Sequence, residues 1–206
     1  MTRKSAETIS AVGTAYMTGM GEKVTQHFET TIQLRLSQLE ALVIGFQPDD
    51  IPAKTLREEL ASNAQMRGFE SLAFYSREGE FDMIYGETPI LADSGPFLAS
   101  MNNGDKKVAV VSTDHGEKDI LLGVSAEYVM SNGETATALV ACLPADYIAE
   151  TLSLYSESTL VYSHIIRRDG TFVIRSGDAF RENYFERVRA LFEGLNEAEA
   201  EQHVAN

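Results

Sequence analysis

The chain has 206 residues, 44% of them apolar, which allows one well-packed domain or one domain plus part of a second. Its formal net charge of −14 repels nucleic-acid phosphates and anionic lipid headgroups, so neither is an expected partner. The single cysteine, Cys142, excludes an internal disulfide, and its place in the apolar run 138–143 points to core packing.

Between residues 9 and 46 the apolar positions Ile9, Val12, Tyr16, Met20, Val24, Phe28, Ile32, Leu36, Leu39, Val43 and Phe46 step by threes and fours, with no proline before Pro48. This predicts one helix of about 38 residues, roughly 57 Å long. A domain of this size cannot cover such a length, so the first half is expected to project and pack on another copy or another helix. Two helices broken near Gly19 and Gly21 are the alternative.

The segment 48–52, with two prolines, ends that helix, and residues 53–65 form a second one with Leu56, Leu60 and Ala64 on one face. After Gly68 the apolar runs shorten to strand length. Residues 72–76 and 81–85 flank Arg77-Glu78-Gly79-Glu80 and predict a hairpin. Residues 89–103 connect onward, with a short helix at 95–100. Strands at 107–112, 120–128 and 135–143 follow, joined by turns at 114–117 and at Asn132-Gly133, so an antiparallel meander is expected. A helix from Pro144 to residue 154 comes next, with proline at an early helical position. The chain then predicts a hairpin of 160–166 and 171–175 around Asp169-Gly170, an amphipathic helix at 182–195, and an acidic tail.

The expected fold class is therefore α+β: a long N-terminal helix packed on a five-stranded antiparallel sheet, followed by a partial second module of hairpin plus helix. The predicted divisions are 1–47 for the signalling helix, 48–155 for the domain, and 156–206 for the start of a further module.

The four histidines, His27, His115, His164 and His203, show no zinc-ligand spacing, so no metal is expected. No Walker-type glycine loop occurs, and glycines 13, 19 and 21 fall in a helical pattern without a preceding strand; no cofactor is expected. The nucleophile-elbow pattern Gly-x-Ser-x-Gly is absent, so no catalytic residue is assigned. Asp114-His115 is the one acid–histidine pair in a turn, and a solvated hairpin tip is its expected role. His164, alternating with apolar neighbours, is expected to be structural. What remains is a binding pocket. Arg67, Tyr75, Tyr85 and Tyr128 lie on or beside the predicted strands, and an aromatic-plus-arginine lining suits a small carboxylate or amine metabolite.

Several stretches carry a resemblance: 16–38, Leu121-Leu122-Gly123-Val124 to Tyr128, Leu143-Pro144-Ala145-Asp146-Tyr147-Ile148, and 163–175 with Glu182-Asn183-Tyr184-Phe185 after it. They resemble the Cache family of bacterial receptor sensor domains, in which a long helix leaves the membrane and runs up to a PAS-like domain. The last stretch resembles receptors of anaerobic Gram-positive bacteria whose output is commonly a diguanylate cyclase or a histidine kinase. The resemblance implies a double Cache, extracytoplasmic portion of a cell-membrane receptor that is not itself an enzyme. It also implies a small-molecule ligand, a homodimer through the N-terminal helix, and transmembrane helices outside these residues. The amino-acid-binding Cache subset carries a Tyr, Arg, Trp-Tyr and Asp constellation; this chain has no tryptophan, so no ligand contact is carried over. The ligand is expected between the sheet and residues 87–104. A ligand-free, PAS-like cytoplasmic dimerisation module is the alternative, and a hydrolase resting on Asp114-His115 is the third reading.

Within the 206 residues no run reaches the about 18 to 20 apolar residues of a membrane span, and Met1-Thr2-Arg3-Lys4 is not followed by a signal-peptide apolar core.

Overall fold

The computed structural model describes residues 3–46, 52–114, 118–151, 164–166 and 172–175. Two compact units divide the chain, Met1–Pro144 and Ala145–Asn206.

In the first unit α1 spans Arg3–Gly45, one continuous helix through Gly13, Gly19 and Gly21, about six residues longer at its start than the apolar spacing predicts. At 1.5 Å per residue it is roughly 65 Å long. Its buried face is Thr31, Ile32, Leu36, Leu39 and Leu42, whereas no residue from 22 to 30 is buried. Burial of such leucines contributes about 2 kcal/mol each, so the C-terminal third anchors the helix to the domain.

The short helix α2, Ala53–Met66, turns Leu56, Leu60 and Ala64 inward, as their spacing requires. The sheet then forms from β1 (Ser71–Ser76), β2 (Phe81–Tyr85), β3 (Lys107–Ser112), β4 (Lys118–Val129) and β5 (Thr135–Pro144), with the helix α3, Gly95–Asn102, between β2 and β3. All pairings are antiparallel and the strand order is β2-β1-β5-β4-β3. The meander β3-β4-β5 is the expected one, and β1 closes against its last strand, with Phe74 opposite Leu139 and Tyr75 opposite Ala138.

Turn chemistry explains the hairpins. Gly133 takes φ +85°, a left-handed conformation open to glycine, and Asn132 Oδ1 accepts the Glu134 amide at 3.0 Å. In the β1–β2 turn the buried Ser76 hydroxyl accepts the amides of Glu78 and Glu80 at 3.1 and 3.0 Å.

The side chains of β1, β4 and β5 alternate between two faces. One face, with Leu72, Phe74, Leu122, Val124 and Leu139, lies toward the α1 and α2 side; the other, with Ala73, Tyr75, Leu121 and Val140, meets α3. The predicted role of Cys142 agrees with its position: it is buried on the α3 face, and burial pushes its thiol up to about 12.

Asp82 ties three elements together. It accepts the Ser131 amide at 2.7 Å and the Ser131 hydroxyl at 3.0 Å, and it pairs with the Arg57 guanidinium, which also lies 5.0 Å from the centre of the Phe74 ring. Burial alone would raise its carboxyl, but the Ser131 hydrogen bonds and Arg57 outweigh that and hold it below the ordinary aspartate value. A depressed folded-state pKa means that this stability is present above the unfolded aspartate pKa and is lost as pH falls through the folded one. Acid titration of unfolding is therefore expected to show a shallower loss below about pH 4 in Asp82→Asn than in wild type. Identical acid slopes would remove Asp82 from the linkage.

In the second unit α4 spans Ala145–Thr151, so Pro144 ends β5 and does not open the helix as expected. The strands β6 (His164–Ile166) and β7 (Phe172–Arg175) pair antiparallel, with His164 opposite Arg175. The expected helix at 182–195, the tail with His203, the stop at 48–51, the start of the last hairpin at 160–163, and His115 lie outside the described residues.

Candidate functional site

Of the four residues singled out in the sequence, Tyr75 belongs to the buried cluster that α3 covers. It is fully buried, edge-on to Phe97 at 5.5 Å and 78°, and tilted against Phe81 at 4.9 Å. Its hydroxyl has no hydrogen-bond partner among the described residues, and burial raises its pKa. The β1–β2 turn and α3 close around that hydroxyl: a Cβ placed on Gly79 would lie 3.3 Å from the oxygen and 3.7 Å from Leu98.

Tyr128 lies on the opposite face. Its ring stacks on Phe74 at 4.8 Å and 22°, and its hydroxyl donates to the Phe46 carbonyl at 2.9 Å, just after the end of α1. Burial pushes it up to about 12. Tyr85 donates to the Phe69 carbonyl at 3.0 Å and is likewise pushed up to about 12, chiefly by burial. Arg67 follows the last residue of α2: its guanidinium donates to the Asn63 carbonyl at 2.7 Å and to Asn63 Oδ1 at 3.2 Å, and its own carbonyl accepts Arg35 of α1 at 2.6 Å. Tyr128 fastens α1 to the sheet and Arg67 fastens α2 to α1, so the four do not converge on one pocket. Tyr128→Phe, which leaves the Phe46 carbonyl without its donor, is expected to lower stability by about 1 kcal/mol in denaturant unfolding. No loss would mean that the hydroxyl contributes nothing to holding α1.

Residues outside that set build the site. Phe97 and Met101 of α3 are both 1% exposed and sit over Gly123 in the middle of β4. A Cβ added there would lie 2.6 Å from Met101 Sδ and 2.8 Å from Phe97 Cζ, closer than real contacts allow. A lone glycine within a strand marks a close approach by another element, and Leu121-Leu122-Gly123-Val124 carries that signal in the sequence. Phe97 and Met101 had no such signal, because they lie in a connecting segment whose fold depends on the sheet beneath it.

Two openings lie on the first unit, of which the larger borders α3. A groove of about 670 Å³ runs past its C-terminal end, lined by Met101, Asn102, Arg77, Ser125, Glu127 and Thr135 among others. Asn102 Nδ2 donates to the Arg77 carbonyl at 3.1 Å, and the Thr137 hydroxyl donates to the Met101 carbonyl at 3.4 Å. A smaller cavity of about 190 Å³ lies against Ser71, Gly86, Thr88, Thr113, Asp119 and Cys142. Among the described residues no group of three metal-ligating side chains could hold an ion, and no helix is long and apolar enough to cross a membrane.

No family model and no curated protein matches the sequence. Solved structures do. The ligand-binding domain of the Pseudomonas aeruginosa amino acid chemoreceptor PctB, in complex with L-Gln, is similar over 77% of this chain and 66% of that one, with 14% identity and a TM-score of 0.53. The corresponding domain of the Campylobacter jejuni chemoreceptor Tlp3, in complex with L-valine, is similar over 85% of this chain and 75% of that one, with 9% identity and a TM-score of 0.56. The Pseudomonas aeruginosa PctC domain, in complex with GABA, gives 14% identity and 0.53 over 78% of this chain. The chain thus spans about two thirds to three quarters of these domains. The likeness is one of fold: a long N-terminal helix followed by a five-stranded antiparallel sheet, α+β, similar to these chemoreceptor ligand-binding domains.

Proposed function

We propose that this chain is the ligand-sensing part of a transmembrane receptor, binding a small molecule on the α3 face of the sheet and relaying the event through α1. The observation that carries the reading is the construction of that face within a sensor-type fold. A short helix covers it, Phe97 and Met101 are seated on a glycine, and a buried tyrosine hydroxyl beside them has no partner among the described residues. Tyr75 is the ligand-lining residue of the four; Arg67, Tyr85 and Tyr128 hold the frame.

The relay follows from strand alternation. Gly123 lies under α3 while its neighbours Leu122 and Val124 lie on the α1 side, so a shift of the α3 face moves the surface on which α1 rests. Only a ligand that prefers one arrangement can shift the equilibrium between them. The chain supplies the extracytoplasmic portion: residues 1–47 form the signalling helix and dimer contact, 48–155 the sensor, and 156–206 the start of a membrane-proximal module, as in double Cache receptors. A diguanylate cyclase or histidine kinase is the proposed output domain. The sensor-type fold favours this over the ligand-free dimerisation module.

Thermal unfolding of the purified chain against amino acids, organic acids, amines, purines and neutral aromatics tests the reading. A ligand at about 100 times its Kd adds roughly 2.7 kcal/mol, so a specific and saturable rise in midpoint is expected. The rise should vanish in Tyr75→Ala and persist in Arg67→Ala. A flat response throughout would return the chain to the dimerisation module.

A further inference from the structure

We infer that the cavity of about 190 Å³ at one end of the sheet is a binding site for a short primary amine, taken up as its ammonium ion. The assignment goes beyond the sensing reading and does not depend on it, because neither Tyr75 nor the residues seated at Gly123 line this cavity.

Three observations carry it. The first is how the cavity is built. Register places Ser71 opposite Cys142, Cys142 opposite Leu121, and Asp119 opposite Val111, so Ser71, Cys142 and Asp119 stand together where β1 begins, β5 ends and β4 begins. Residues 86–90 run across that end from one edge of the sheet to the other. They leave β2 at Gly86 and reach β3 at Ile90, whose amide donates to the Ser112 carbonyl at 2.9 Å and whose carbonyl accepts the Ser112 amide at 3.0 Å. Gly86, at φ +82°, lets this strap lie against β1, since a Cβ there would stand 2.4 Å from that of Ser71. The cavity lies between the strap, with Glu87 and Thr88, and the sheet end.

The second is charge. Three carboxylates, Glu70, Glu87 and Asp119, line the cavity, and among the described residues no basic side chain does. Asp119 is 7% exposed, and a carboxylate so far from water is stabilised by hydrogen-bond donors and by positive charge. These charges reach the sheet end: burial first, and then Asp119 and Glu70, push the Cys142 thiol up, against a hydrogen bond with Ser71 that lowers it. An anionic ligand would meet the same repulsion, whereas a cation is attracted.

The third is the Thr113 hydroxyl in the cavity wall. Its Oγ1 is buried and has no partner among the described residues, and a buried polar atom of that kind needs a reason. An ammonium group has three donors and no acceptor, so it can give one to Thr113 and the others to the carboxylates. Among the described residues no three ligating side chains could hold a metal ion, so the carboxylates suit an organic cation. The volume has room for about six water-sized groups, which fits a short alkyl chain behind the ammonium.

Butylamine, butan-1-ol and butyrate share one chain and differ in the head group. The net charge of −14 draws any cation loosely to the surface, so the titrations are run at about 0.15 M salt. Calorimetry and amide NMR of the whole chain are expected to show saturable butylamine binding, with shifts concentrated at 86–89, Thr113 and Asp119. Butan-1-ol should bind about tenfold more weakly and butyrate not at all. Thr113→Val, which removes the orphan oxygen and keeps the shape, should hold or raise the unfolding midpoint and weaken butylamine about tenfold. Glu87→Gln, on the exposed strap, should weaken it several-fold, and Tyr75→Ala should leave it unchanged.

Equal butylamine affinity in wild type and Thr113→Val, butan-1-ol binding as tightly as butylamine, or no saturable butylamine binding would each overturn the assignment. Loss of butylamine in Tyr75→Ala but not in Thr113→Val would also overturn it, yet would leave the sensing function standing. Butylamine binding that survives Tyr75→Ala, in a chain that answers no other class of metabolite, would keep this site and remove the α3 face as the sensing site.

Discussion

Replacing Leu39 by alanine is expected to lower the stability of the chain by about 3 kcal/mol, among the largest single-residue effects in the molecule. Leu39 is 0% exposed and lies between Leu36 and Leu42, the buried leucines with which α1 holds the sheet. Deleting its branched end removes apolar burial and leaves a cavity that a helix tied at both sides cannot fully close. The ties are the Arg35 contact to the Arg67 carbonyl and the Tyr128 contact to Phe46, which limit how far α1 can settle. A loss of that size corresponds to roughly 6 to 12 °C in Tm for a chain of this length. Equilibrium denaturation would read it as a lower midpoint at an unchanged slope, because the surface exposed on unfolding stays the same. A loss under about 1 kcal/mol would mean that α1 rests on the sheet without being anchored there, and the proposed relay would have no mechanical basis.

The second large effect is expected at Gly123. Valine there suits a β-strand locally, yet its Cβ would lie within 2.8 Å of both Met101 Sδ and Phe97 Cζ. The methionine can swing its flexible end aside, but the phenylalanine ring is held edge-on by Tyr75 and can only move with α3. Overpacking of this kind costs about 1 to 3 kcal/mol. Gly123→Val should therefore displace α3, lower the unfolding midpoint, and abolish ligand-induced stabilisation, because α3 can no longer close on that face of the sheet. Amide shifts should concentrate in α3 and its flanks while the Leu39 region of α1 keeps its core. A variant that kept full stability and full ligand response would show that α3 does not roof the binding site.

These two positions differ in how openly the sequence announces them. The period of Ile32, Leu36 and Leu39 states their common face without reference to any other part of the chain, because helical geometry alone aligns them. Gly123 announces only that something comes close. What comes close is Phe97 and Met101, about two dozen residues earlier, in a segment whose short helix forms against the sheet.

The tyrosines make the same point more sharply. All three stand in apolar runs and read alike as potential lining. Yet pairing places Tyr75 opposite Ala138 and next to Ser125 across β5, while the irregularity between Ser125 and Tyr128 precedes a residue that stacks on Phe74 from the other face. Which face a strand residue takes depends on register with strands about 60 residues away, and a one-residue slip reverses it.

By itself the sequence determined the elements and their order: the long helix, the two hairpin-linked strands, and the meander with its Asn132-Gly133 turn. These rest on local periodicity and turn stereochemistry, which act within a few residues. The docking of β1 against β5, the division of the sheet into an α1 face and an α3 face, and the seating of Phe97 and Met101 over Gly123 were decided by the tertiary structure alone. Each is a contact between segments far apart in the chain, where the outcome depends on which surfaces fit and not on what any one segment prefers.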